Sequence, residues 1–66
     1  MQIQFNDEPM QCADGLSVID LLTQLNQLKP RAALALNQQI LPREQWEQQI
    51  VQEGDQILLF QVIAGG

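Results

Sequence analysis

The chain has 66 residues, three of them basic and eight acidic, for a formal charge of −5. That length suits one domain, whose core buries only about 60% of the surface the unfolded chain exposes, and the negative charge repels a phosphate backbone and argues against nucleic acid as a partner. A lone cysteine, Cys12, and no histidine exclude an intrachain disulfide and leave a protein-only zinc site without its usual ligands.

The apolar 45% is scattered in short runs. There is no stretch of the roughly 18 residues a membrane span needs and no basic leader before an apolar block, so the expectation is a soluble, cytoplasmic protein. The acidic surplus suits encounter with basic protein surfaces, and serves equally as an ordinary solubility device.

From Met1 to Asn6, Met1, Ile3 and Phe5 alternate with Gln2, Gln4 and Asn6, the period-two pattern of a strand with one buried face. Asn6, Asp7, Glu8 and Pro9 form a polar turn cluster. Met10 to Ala13 can return as a second strand, closed by Asp14-Gly15, to make an opening hairpin.

Ser17 has the properties of a helix N-cap, with Asp20 placed to meet the free amides and the positive end of the helix dipole. Asp is shorter than the usual capping-box Glu, which predicts an imperfect box. Leu16 and Leu21 stand at the spacing of a hydrophobic staple, and Val18, Leu21, Leu22, Leu25 and Leu28 share one helical face. Pro30 disfavours helical geometry at Lys29, so the helix is expected to end near Gln27 or Leu28.

Ala32 to Leu36 reads as a buried strand, Asn37-Gln38 as a turn and Gln39 to Leu41 as a short return strand. Pro42 to Trp46 is long enough for a single turn, with Trp46 expected to cap the core from outside. Ile50-Val51 should anchor the next loop before Glu53-Gly54-Asp55 turns the chain. Gln56 to Ile63 is apolar on both parities, as expected for a central strand flanked on both sides. The order predicts an α+β fold, with one helix across one face of a mixed sheet of about five strands and the opposite face uncovered.

The sequence closes on Ala64-Gly65-Gly66. Two terminal glycines arise by chance in roughly 0.5% of chains at a glycine usage of about 7%, which makes the ending worth explaining. Lacking Cβ atoms, Gly65 and Gly66 can extend into a channel too narrow for other side chains and present the carboxylate to a reactant. A carboxylate is a poor electrophile until ATP-dependent adenylation turns it into a mixed anhydride. Sulfide or a persulfide can then convert the acyl adenylate to a thiocarboxylate, a soft nucleophile able to deliver sulfur.

With its Gln-Ile-Gln-Phe-Asn-Asp start, the Asn37-Gln38-Gln39-Ile40 turn, Pro42-Arg43-Glu44, Gly54-Asp55 and the closing Ala64-Gly65-Gly66, the whole chain resembles the ThiS family of sulfur carriers in thiamine biosynthesis. The resemblance implies a ubiquitin-like β-grasp domain over residues 1–66, with 64–66 as a flexible tail. It implies adenylation of Gly66 by a ThiF-type enzyme, conversion to a thiocarboxylate by a sulfur-donating enzyme, and sulfur donation to a ThiG-type thiazole synthase. The chain would then be a carrier, monomeric when free. ATP and magnesium would belong to the activating partner, in keeping with the lack of a glycine-rich phosphate loop here.

Alternation sends Leu58, Phe60 and Val62 to the face opposite Ile57 and Leu59. One helix covers one face, so this side is expected to include an exposed apolar patch for docking beside the tail. Cys12 has no neighbouring base in sequence and reads as a small buried hydrophobe rather than a reactive thiol. The carboxylates fall in turns and around the helix, as solvated surface does. Three other readings keep the tail or the fold but change the role: the small subunit of molybdopterin synthase, a protein modifier joined to lysine through Gly66, and a plain interaction module.

Overall fold

The computed structural model describes residues 1–61, in the order β1 (Gln2–Phe5), β2 (Glu8–Gln11), α1 (Val18–Gln24), β3 (Ala32–Leu36), β4 (Gln39–Ile40), a 3-10 turn (Arg43–Gln45) and β5 (Gln56–Gln61). The strands form one sheet in the order β2-β1-β5-β3-β4. β1 and β5 run parallel, and the other neighbours are antiparallel. The last strand to be made therefore lies in the middle, beside the first, as its two-sided apolar character predicts. This is the mixed sheet and single helix of a ubiquitin-like β-grasp domain.

Both hairpins close on two residues with positive φ, Asn6 and Asp7 (52° and 67°) and Asn37 and Gln38 (51° and 71°). Positive φ at both central positions is the turn whose twist matches the flanking strands, and Asn and Asp tolerate it better than most residues. The first turn is tighter than the polar cluster suggests, so β2 starts at Glu8 instead of Met10. Pro9 lies inside it opposite Gln4, which an edge strand permits because one side of its backbone has no ladder to supply.

α1 starts where its capping signal lies. Ser17 Oγ accepts the Asp20 amide at 3.1 Å, and Asp20 Oδ2 accepts the Ser17 amide at a longer 3.4 Å, so the short Asp side chain makes both arms of the box with one of them stretched. The helix stops earlier than Pro30 implies. Asn26 takes φ 57°, its amide donates to Thr23 O at 3.1 Å and the Gln27 amide donates to Leu22 O at 2.9 Å. That pair of bonds is a Schellman closure, made by Asn where glycine is commoner.

Val18, Leu21 and Leu22 of α1 pack on Ile3, Leu34 and Ile57 of the sheet, with Val51 and Trp46 completing the core. Trp46 is 1% exposed and is a core residue, contrary to the expectation that it caps the core from outside. The 3-10 turn aims the ring inward, and its Nε1 donates to Leu41 O at 3.0 Å, which meets the hydrogen-bonding need that burial creates. Of the Ile50-Val51 pair only Val51 is an anchor; Ile50 is exposed and bridges Ser17 through its backbone. β4 ends at Ile40, one residue short of the expected Leu41, although the Leu41 amide still donates to Leu34 O at 2.9 Å.

Candidate functional site

β5 leads to the chain's closing glycines, and asparagines from the two hairpin turns hold it on either side. Asn37 Oδ1 accepts the Gln56 amide at 2.9 Å, while Asn37 Nδ2 donates to Asp55 Oδ1 at 3.1 Å. Asp55 is buried, and its other oxygen accepts the Gln52 amide at 2.8 Å. On the β1 side the Asn6 amide donates to Ile57 O at 2.8 Å, and Asn6 Oδ1 accepts the Leu59 amide at 2.9 Å. Thus β5 enters and traverses the sheet under side-chain control as well as strand pairing.

The alternation expected of β5 is present. Ile57 is buried, whereas Leu58 and Phe60 on the other parity are 41% and 44% exposed. Register extends this face sideways: Leu58 lies opposite Ala35, which lies opposite Ile40, and Phe60 lies opposite Ala33. Leu58, Ala35 and Ile40 form one apolar row across three strands, uncovered by the helix. Ile40 is 65% exposed and was not among the expected docking residues. Its signal was available, because a two-residue turn at Asn37-Gln38 puts Ile40 opposite Ala35, but only once that turn is known to be so short. Val62, Ala64, Gly65 and Gly66 lie outside the described residues.

Towards the Asn37-Gln38 end, the same face has a cavity of about 110 Å³ lined by Gln4, Asp7, Gln38, Gln56, Ile57 and Leu58. Pockets that hold small organic ligands run from roughly 300 to 1,000 Å³, so this one is too small for a nucleotide. Among the described residues no three His, Cys, Asp or Glu side chains are grouped as metal ligands, and no helix is long and apolar enough to cross a membrane. Cys12 is half-buried against the core. Its backbone pairs with that of Met1, the α-ammonium donating to Cys12 O at 2.8 Å and the Cys12 amide to Met1 O at 2.9 Å.

The ThiS family matches residues 3–66. The chain belongs to the ThiS family. Among ThiS relatives, the Sulfur carrier protein ThiS of Escherichia coli K12 is 71% identical over 66 residues, covering the whole of both chains. An uncharacterized protein, ycf40, of Porphyra purpurea is 29% identical over the whole of this chain and 93% of its own. The crystal structure of the thiamine biosynthesis protein ThiS from Geobacter metallireducens superposes with a TM-score of 0.90 at 28% identity, covering the whole of both chains. The solution structure of a thiamine biosynthesis protein from the same organism gives 0.77 at 28% identity, covering all of this chain and 88% of that one. The β-grasp sheet described above is thus the ThiS fold.

Proposed function

We propose that this chain is a sulfur carrier of thiamine biosynthesis whose working group is the Gly66 carboxylate. The observation that carries this reading is the 71% identity to the E. coli sulfur carrier across the full length of both chains. In the proposed cycle a ThiF-type enzyme, using ATP and magnesium, joins AMP to Gly66 and releases pyrophosphate. The persulfide of a sulfur-donating enzyme then attacks the acyl carbon and displaces AMP, and a thiol cleaves the resulting acyl disulfide, leaving the thiocarboxylate on Gly66 and a new disulfide on the donor side. A ThiG-type thiazole synthase takes that sulfur for the thiazole ring, and Gly66 returns to a carboxylate with an oxygen from the carbonyl substrate or from water.

The chain's own contribution is recognition and reach. Leu58 and Phe60, with Val62 beyond them in sequence, supply an apolar docking face next to the tail, and the exposure of Leu58 and Phe60 supports that role. Ala64, Gly65 and Gly66 supply a segment narrow enough to enter a partner's channel. A protein that passes between enzymes in this way works as a monomer in the cytoplasm.

Intact-protein mass spectrometry tests the proposal, after incubation with ATP, magnesium, a sulfur source and an active ThiF-type enzyme. Replacement of one oxygen by one sulfur, localised to Gly66, is the expected result. An unchanged mass, or adducts to lysine amines in place of the thiocarboxylate, would overturn it. Deleting Gly65 and Gly66 should abolish the conversion and impose a thiazole requirement on cells that depend on this chain.

A further inference from the structure

The chain has three residues with cationic side chains, Lys29, Arg31 and Arg43, and the fold brings all three to one corner. Lys29 and Arg31 are exposed on the loop between α1 and β3. Arg43 reaches the same loop from the 3-10 turn. Its Nη1 donates to Lys29 O at 2.8 Å and to Pro30 O at 3.1 Å, and its guanidinium carbon lies 4.9 Å from the centre of the Trp46 ring. The loop enters β3 at Ala32, the register partner of Gln61. This corner therefore stands at the end of β5 from which residues 62–66 continue.

Eight side-chain carboxylates are available in the chain, yet among the described residues none lies within 4 Å of these three cations; the ion pair there joins the Met1 ammonium to Asp14 at 3.6 Å. Glu44 and Glu47, on and beside the 3-10 turn, are exposed and make no ion pair with them. Like charges gathered without a counter-ion among the described residues oppose folding through mutual repulsion. Arg43 has a structural occupation, since it ties the loop carbonyls to the Trp46 ring. Lys29 and Arg31 make no side-chain hydrogen bond to a described residue, so no contact among the described residues accounts for their presence at the corner.

We infer that Lys29, Arg31 and Arg43 form a cationic docking corner that engages an acidic surface on the adenylating enzyme. This rests on the carrier reading of Gly66. The corner and the apolar row of β5 flank the start of the same tail, so one partner surface would meet both, apolar against Leu58 and Phe60, acidic against the corner. On a chain of net charge −5 a local cationic patch acts on orientation and rate of encounter, because complementary charge at an interface steers approach and fixes register. The partner group is a protein carboxylate cluster, not the nucleotide. Five residues can span at most roughly 18 Å at 3.3–3.6 Å each, a reach that lets the reacting phosphate sit apart from the corner.

The test compares two variants of equal net charge in calorimetric binding to the adenylating enzyme, alongside the wild-type chain. Lys29→Gln with Arg31→Gln removes two charges at the corner. Gln11→Glu with Gln52→Glu adds two negative charges near the opposite end of the sheet, where the Gly54 amide meets Gln2 O and Gln2 pairs with Gln11. All four positions are exposed, and surface changes of this kind leave stability nearly unaltered, which thermal melting would check. The corner variant is expected to bind roughly tenfold more weakly at low salt, with the gap closing as salt rises, and the control to bind within about twofold of wild type. Equal weakening of both variants, or none in the corner variant while the wild-type chain is adenylated normally, would overturn the inference. So would unchanged protein binding with a raised KM for ATP, which would assign the corner to the nucleotide. A wild-type chain that is neither bound nor adenylated would instead remove the carrier reading, and this inference with it.

Discussion

Asn6 and Leu59 are 53 residues apart in sequence, and the side chain of Asn6 accepts the backbone amide of Leu59 at 2.9 Å. Paired register between β1 and β5 runs through Phe5 and Ile57, so the Asn6 carboxamide stands in for a strand just past the end of the ladder. The same residue needs φ 52° to close its hairpin. Two requirements thus meet at one position, and they are separable by mutation. Asn6→Gly keeps the left-handed backbone and loses the acceptor, which should cost about 1 kcal/mol. Asn6→Ala loses both, adding about 1–2 kcal/mol for the strained φ. Asn6→Asp keeps both and should stay closest to wild type. Urea unfolding orders the three, and faster hydrogen exchange at the Leu59 amide in the Gly variant would locate the loss.

A second prediction concerns the end of α1. Asn26 occupies the left-handed position of the Schellman closure, which glycine fills without steric cost. Asn26→Gly should therefore leave stability within about 0.5 kcal/mol of wild type or raise it slightly, whereas Asn26→Val should lower it by about 1–2 kcal/mol. Thermal melts of the two variants decide the point. If Val is tolerated as well as Gly, the closure is not what ends the helix.

Trp46 gives a third test, since it is the chain's only tryptophan and is buried at the centre of the packing. Its emission should be blue-shifted in the folded protein and move to the red in a single cooperative step with urea. Trp46→Phe keeps much of the ring volume but removes the donor to Leu41 O and weakens the aromatic face under Arg43. A loss of about 1–3 kcal/mol is expected, against about 3–5 kcal/mol for Trp46→Ala. Circular dichroism should follow both, because the fluorescent reporter is gone.

What was legible in the sequence divides along the range of the interactions. The start of α1 was readable because Ser17 and Asp20 make their bonds within one helical turn. Its end was not, because Asn26 is one polar residue among several and nothing nearby distinguishes it, while Pro30 offered a stronger but later stop signal. The inward direction of Trp46 depends on the Leu41 carbonyl being in place, which requires the β3-β4 hairpin to have formed. Pro9 disguised the start of β2, since a proline reads as a turn until the strand is known to lie at an edge. In the candidate site, parity alone separated Ile57 from Leu58 and Phe60. Ile40 joins that face through two successive registers, and the gathering of Lys29, Arg31 and Arg43 depends on a side chain crossing from one loop to another, so neither was visible in any local pattern.

The uncovered face of the sheet gives the last prediction, because there stability and function should separate. Leu58 and Phe60 are each more than 40% exposed, so their truncation removes only part of the buried area that a core residue would lose and should cost about 1–2 kcal/mol. Leu34, on the other face of the neighbouring strand, is fully buried, and Leu34→Ala should cost about 2–5 kcal/mol. Binding to the adenylating enzyme should show the reverse order at saturating folded protein. Phe60→Ala and Leu58→Ala should each weaken it by about 1–2 kcal/mol or more, as expected for apolar anchors at the middle of an interface. Ile40→Ala should weaken it less, since Ile40 stands at the edge strand, where partly wetted contacts contribute little. A calorimetric titration of each variant against the same enzyme, paired with its urea midpoint, reads both quantities. If Leu58→Ala and Phe60→Ala bind as wild type does, the exposed row is not the docking face, and the partner must approach β5 from its helix side or its end.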